Sequence, residues 1–92
     1  MTMKKYVIER EIPGVHQMTP EQLKGAAATS NAALAQLGPK VQWLESYLAK
    51  DKTFCVYLAE DEAAIREHAR LSGFPANEIT EVTGAIDPTT AA

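Results

Sequence analysis

One stretch of this sequence leaves the chain little choice. Thr19-Pro20-Glu21-Gln22 carries a helix start: a threonine N-cap, a proline at the first helical position, and a glutamine three residues after the cap that completes a capping box. Gly38-Pro39 is the matching stop, because glycine takes the left-handed turn and proline prevents continuation. Between them Leu23, Ala26, Ala27, Ser30, Leu34 and Leu37 recur at helical spacing and give one apolar face. The pattern predicts a helix from Pro20 to about Leu37, whose many alanines make it smooth enough to lie close to a sheet.

The rest of the chain arranges itself around that helix. Lys4 to Glu11 centres on Tyr6, Val7 and Ile8, good strand formers, and Pro13-Gly14 marks the turn that follows. Val41 to Ala49 reads as a second strand, with Trp43, Glu45 and Tyr47 on one face by strict alternation and Leu44, Ser46 and Leu48 on the other. After the polar loop Lys50-Asp51-Lys52, Thr53 to Ala59 is the other arm of a hairpin. Phe54, Val56 and Leu58 alternate there with Cys55 and Tyr57, so both faces are fairly apolar and the strand is expected to be central or covered on both sides. Glu60-Asp61-Glu62 opens a second helix and suits its positive N-terminal end. Ile65, His68, Ala69 and Ser72 share its inner face, and Gly73 stops it. Ile79 to Ile86 is read as the last strand, and Thr89 to Ala92 as a tail that frays.

The order strand, helix, strand, strand, helix, strand, with right-handed crossovers around a central hairpin, predicts an α+β fold: the ferredoxin-like βαββαβ sandwich, a four-stranded antiparallel sheet with two helices on one face. A chain of 92 residues is read as one such domain, residues 1–92. Its core is thin, since fifteen of its apolar residues are alanine. The sheet's second face has nothing from its own chain to cover it. A homodimer closed over that face is therefore expected.

Charge and cysteine content narrow the function classes. A net charge of −3 provides no basic footprint for nucleic acid or an anionic membrane. Glu9 cuts the N-terminal apolar run short, so no signal peptide is read there, and no window is long enough to span a bilayer. One cysteine permits no intrachain disulfide and fits a reducing compartment, the cytoplasm. Phosphate-binding glycine loops, H-E-x-x-H, C-x-x-C and Gly-x-Ser-x-Gly patterns are all missing from the sequence.

Four residues carry metal-ligating chemistry. Cys55 sits mid-strand, where a buried thiol usually acts as a small hydrophobe and otherwise serves as a metal ligand. His68 points inward from the second helix, either as a hydrogen-bonded core histidine or as a ligand. His16, in the loop after Pro13-Gly14, is an exposed histidine or a donor that completes a site. Glu45 supplies a carboxylate. One cysteine and two histidines cannot make a closed tetrahedral site by themselves, so a metal needs carboxylates, waters or a second subunit. Trp43, Tyr47 and Tyr57 form an aromatic set around Glu45, read as a packing or dimer face or as the wall of a small-molecule pocket. An inward His68 requires a partner, with Tyr47, Tyr57 and Glu45 the first candidates.

A resemblance joins these segments. Ile8-Glu9-Arg10-Glu11-Ile12-Pro13-Gly14, Trp43 through Tyr47, Asp51 through Tyr57, Ile65-Arg66-Glu67-His68-Ala69, Gly73-Phe74-Pro75 and Ile86-Asp87-Pro88-Thr89 together resemble a small bacterial family long labelled a domain of unknown function. Some members of it are called nickel-binding proteins. The resemblance covers nearly the whole chain and implies a ferredoxin-like fold, a homodimer, and nickel or another divalent transition metal. It matches Cys55 and His68 as positions with ligand chemistry. Where this chain has Glu45, the resemblance implies a histidine in some relatives, and a carboxylate oxygen suits nickel less well than an imidazole nitrogen. The leading expectation is a transition-metal-binding homodimer that is not an enzyme. The alternative is a small-molecule binder or enzyme with an aromatic pocket in which His68 carries a proton, and a dimer with no site is the third reading.

Overall fold

Alternation along the strands decides which side chains the helices cover. In the computed structural model, which describes residues 2–92, β1 (Lys4–Glu11) buries Tyr6, Ile8 and Arg10 and leaves Lys5, Glu9 and Glu11 more accessible. The 3-10 turn Val15–Gln17 leads into α1 (Pro20–Leu37), β2 (Val41–Leu48) and β3 (Lys52–Ala59) form the hairpin, and α2 (Glu62–Ser72) precedes β4 (Glu78–Val82). The sheet order is β2-β3-β1-β4 with every neighbouring pair antiparallel. This is the expected ferredoxin-like sandwich, with two helices and a four-stranded sheet.

The helix signals operate as the sequence predicts. Thr19 Oγ1 accepts the Gln22 backbone N–H at 3.2 Å, and Gln22 Oε1 accepts the Thr19 backbone N–H at 2.9 Å. Asp61 caps α2 by accepting from Ala64 N at 2.9 Å, and Gly73 ends it with φ of 79°. Tyr6, Ile8, Val41, Cys55, Tyr57 and Ala59 of the sheet pack with Ala64 and Ile65 of α2 into the main core, joined by Leu34 and Leu37 of α1. Cys55 and Tyr57 therefore face the helices, while Phe54, Val56 and Leu58 face away. Among the described residues no helix is long and apolar enough to cross a membrane.

Three expectations fail locally. The last strand ends at Val82, not Ile86, which is 86% exposed. The expected fraying tail is a 3-10 turn, Pro88–Ala91, capped by Asp87, whose carboxylate accepts from Thr89 N at 2.8 Å. In β2, strict alternation breaks. Trp43 pairs with Tyr57 and Glu45 already pairs with Val56, so Leu44 is an extra, bulged residue. Beyond the bulge Ser46 and Leu48 stand on Trp43's face, and Glu45 and Tyr47 stand on the opposite one.

Candidate functional site

Three cross-strand rows lie beneath α1, and all their members except Tyr6 and Ile8 form the floor of a site under its first half. They are Trp43–Tyr57–Tyr6, Ser46–Cys55–Ile8 and Leu48–Thr53–Arg10, all on the helix-covered face. Above them α1 offers Leu23, Ala26, Ala27 and Ser30, side chains mostly too short to reach the sheet. The result is a cavity of about 450 Å³ between α1 and the sheet. Ile12, Val15 and Met18 of the β1–α1 connection and Phe74 after α2 complete an apolar wall. The exposed Glu11, Pro13 and Leu48 lie at the rim. The indole of Trp43 is fixed by donation from Nε1 to Ser46 Oγ at 3.0 Å, a contact that the bulge at Leu44 makes possible.

Arg10 is the one charged side chain buried in this wall, only 2% exposed. It donates through one terminal nitrogen to the Pro75 carbonyl at 2.7 Å and through the other to the Tyr57 hydroxyl at 3.4 Å. Its guanidinium carbon lies 5.8 Å from the Tyr57 ring centroid and 6.0 Å from that of Phe74. Burial raises the Tyr57 phenol above its ordinary pKa, with the nearby Arg10 charge partly opposing the shift. Tyr57 therefore stays a neutral hydroxyl at physiological pH.

His68 lies behind this wall. It is fully buried, with its ring 5.1 Å from that of Tyr57, and its Nε2 is hydrogen-bonded to Ser30 Oγ at 3.1 Å. The inward placement agrees with the sequence reading, but the partner is a helix hydroxyl and not Tyr47, Tyr57 or Glu45. The reason is that α1 crosses close to α2 and inserts its serine before any strand hydroxyl is reached. Burial, and secondarily the charge of Arg10, lowers the His68 pKa from 6.5 to about 4. The ring is therefore neutral near pH 7, and the expectation of a proton carrier working at its ordinary pKa is corrected. Its Nδ1 is buried without a partner.

The remaining sequence candidates do not converge. Cys55 is buried, with Sγ 3.4 Å from Thr53 Oγ1, and lines the cavity. His16 is exposed and holds the Lys50 carbonyl through Nδ1 at 2.7 Å, which makes it a loop clasp. Glu45 and Tyr47 are exposed on the other side of the sheet. The expected aromatic patch thus divides: Trp43 and Tyr57 line the cavity, while Tyr47, 54% exposed, does not.

The family model described as nickel responsive protein SCO4226-like matches residues 6–82. The chain belongs to this family. The crystal structure of SCO4226 from Streptomyces coelicolor A3(2) superposes with a TM-score of 0.74 at 20% identity, covering 89% of this chain and 99% of that one. At that identity the likeness speaks for the fold alone. No curated protein matches the chain.

The family description invites a nickel test on this chain's own donors. Among the described residues no three His, Cys, Asp or Glu side chains come together in a group that could hold a metal ion. His68 offers one unpartnered nitrogen, but Glu45 is across the sheet and His16 is engaged at the surface. The donor set of one chain does not fit a nickel centre. What sequence reasoning missed is Arg10. Its signal was available, because Tyr6, Ile8 and Arg10 share one parity in a strand whose inner face is apolar.

Proposed function

We propose that this protein binds a small, largely apolar organic molecule in the cavity between α1 and the sheet. The observation that carries this reading is the cavity itself, about 450 Å³ inside a chain of 92 residues. It is a cleft partly open to solvent and lined almost entirely by apolar side chains. A space this large falls in the range of small-molecule sites, roughly 300–1,000 Å³. Ala26 and Ala27 maintain it, because leucines on the same helix face would fill it. Binding is favoured over turnover, since His68 stands behind the wall, away from the cavity's lining.

Trp43 is the only tryptophan and lies in the cavity wall, so its fluorescence reports occupancy. Titration with small aryl alcohols and aryl acids is expected to give a saturable change. Ala27→Leu is expected to abolish that change while raising stability by about 0.5–2 kcal/mol, the usual gain from filling a cavity. No saturable response to any member of the set would remove the reading.

Nickel enters through the family's description. With no three donors together among the described residues, a nickel ion would need waters or groups from a second copy. Calorimetric titration of wild type, His68→Ala and Cys55→Ser with nickel tests this, and identical binding by all three excludes both side chains as ligands. A second copy is itself part of the proposal: Val7, Val56 and Leu58, on the sheet face turned away from the helices, are only partly buried. A lone, buried cysteine with no disulfide partner in its own chain fits a protein that works in the reducing cytoplasm.

A further inference from the structure

We infer that the molecule bound in the cavity is an apolar carboxylate whose anionic group pairs with Arg10. The inference rests on the cavity being a ligand site and names the chemistry of its occupant. Buried charges in proteins are almost always paired, because an isolated charge removed from water is costly. Arg10 breaks that pattern. It is 2% exposed, and it forms no ion pair: those among the described residues are Lys52–Glu9, Arg66–Glu62 and Arg70–Glu67. Glu11 at the rim is exposed and makes none with it.

Both of its acceptors, the Pro75 carbonyl and the Tyr57 hydroxyl, are neutral. A guanidinium has five N–H donors in a planar fork, so these two bonds leave donors over. The rings of Tyr57 and Phe74 near the cation offset part of its burial but supply no counter-charge. The fork matches a carboxylate, which accepts two parallel hydrogen bonds from it. A single cation in an otherwise apolar wall selects a monoanion with an apolar body. A phosphate dianion would lack a second cation and would bring excess charge into that wall. Ser30 and Thr53 also line the cavity, with their hydroxyls already engaged by His68 and Cys55, which leaves the anion to Arg10.

The test compares matched ligands: 4-phenylbutyrate, the neutral 4-phenylbutan-1-ol and inorganic phosphate, each titrated calorimetrically into wild type, Arg10→Met and Arg10→Lys. Wild type is expected to bind the carboxylate about tenfold or more tighter than the alcohol, the increment of a charge-assisted hydrogen bond. It is expected to bind phosphate at least that much more weakly than the carboxylate. Arg10→Met should bind acid and alcohol alike, and Arg10→Lys should keep part of the preference because it keeps the charge without the fork. Thermal denaturation of the unliganded proteins gives a second reading that does not need a ligand. Removal of a buried, unpaired charge should leave Arg10→Met at least as stable as wild type. Equal binding of acid and alcohol by wild type overturns the anion and leaves the cavity reading intact. Phosphate binding as tight as the carboxylate also overturns it. Binding of neither organic probe removes the cavity reading and this inference together, and an Arg10→Met protein much less stable than wild type would make Arg10 a structural clasp for Pro75 and Tyr57.

Discussion

His68 carries an ionisable ring in a place that does not tolerate its charge. Its pKa is about 4 in the folded protein, against 6.5 for a free histidine. Above pH 6.5 the ring is neutral folded or unfolded, so its contribution to stability is intact. As pH falls from 6.5 to about 4 the unfolded chain takes up a proton that the folded ring refuses, and stability declines across that window. A shift of this size corresponds to about 3 kcal/mol. Urea unfolding from pH 7.5 to 4 should therefore show wild type losing about that much more than His68→Gln, which keeps polarity but cannot titrate. Parallel curves would mean that the ring is not buried as described. At this scale the sequence was legible where burial follows helical spacing, as for His68. It was less so where a charged residue sits in an apolar row, because Arg10 looks like a surface residue until the parity of Tyr6 and Ile8 is followed through it.

The elements were legible wherever the chain carries its own punctuation. Thr19-Pro20 and Gly38 bound α1, Asp61 and Gly73 bound α2, and the hydrogen bonds that make these caps are local. The end of β4 carries no such mark. Its length depends on pairing with β1, and that pairing stops at Lys5–Val82. The bulge in β2 was invisible for the same reason, since the number of residues opposing Tyr57 and Val56 is set by the partner strand. It also decides the site, because it turns Ser46 toward Trp43 and sends Glu45 and Tyr47 to the far face. Deleting Leu44 should remove the bulge and keep every later side chain on its present face, at a cost of about 1 kcal/mol, the ordinary effect of a surface change with some local strain. Deleting Ser46 instead removes the acceptor of Trp43 Nε1 and either flips Tyr47 and Leu48 across the sheet or turns Glu45 onto the covered face, so it should cost more than deleting Leu44. Thermal melts of the two deletions compare them directly. Equal losses would show that the extra residue is not at Leu44.

On the scale of the whole molecule, the sheet has one covered face and one open face. Val7 and Val56 are paired neighbours at the middle of the open face, flanked by Phe54, Leu58 and Val82, all only partly buried by their own chain. Such a face, backed by a core in which alanine replaces larger residues, favours a symmetric partner that buries the same patch on both copies. A stable interface needs roughly 1,200 Å² of buried surface in total, within reach of a four-stranded sheet face. The expected state of the wild-type protein in sedimentation velocity at micromolar concentration is therefore a dimer, with a melting temperature that rises with protein concentration. Val56→Lys places a charge at the centre of that patch. As Val56 faces away from the helices, the monomer should fold with an unchanged circular dichroism spectrum, because the lysine amine can reach water. In the dimer the same charge would be buried without a partner, a cost large enough to break the interface. The variant should sediment as a monomer and melt at a temperature independent of concentration. The cavity is on the opposite, helix-covered side, so the variant should respond to the aryl probes as wild type does. A wild-type protein that remains monomeric at high micromolar concentration would instead leave the open face to water.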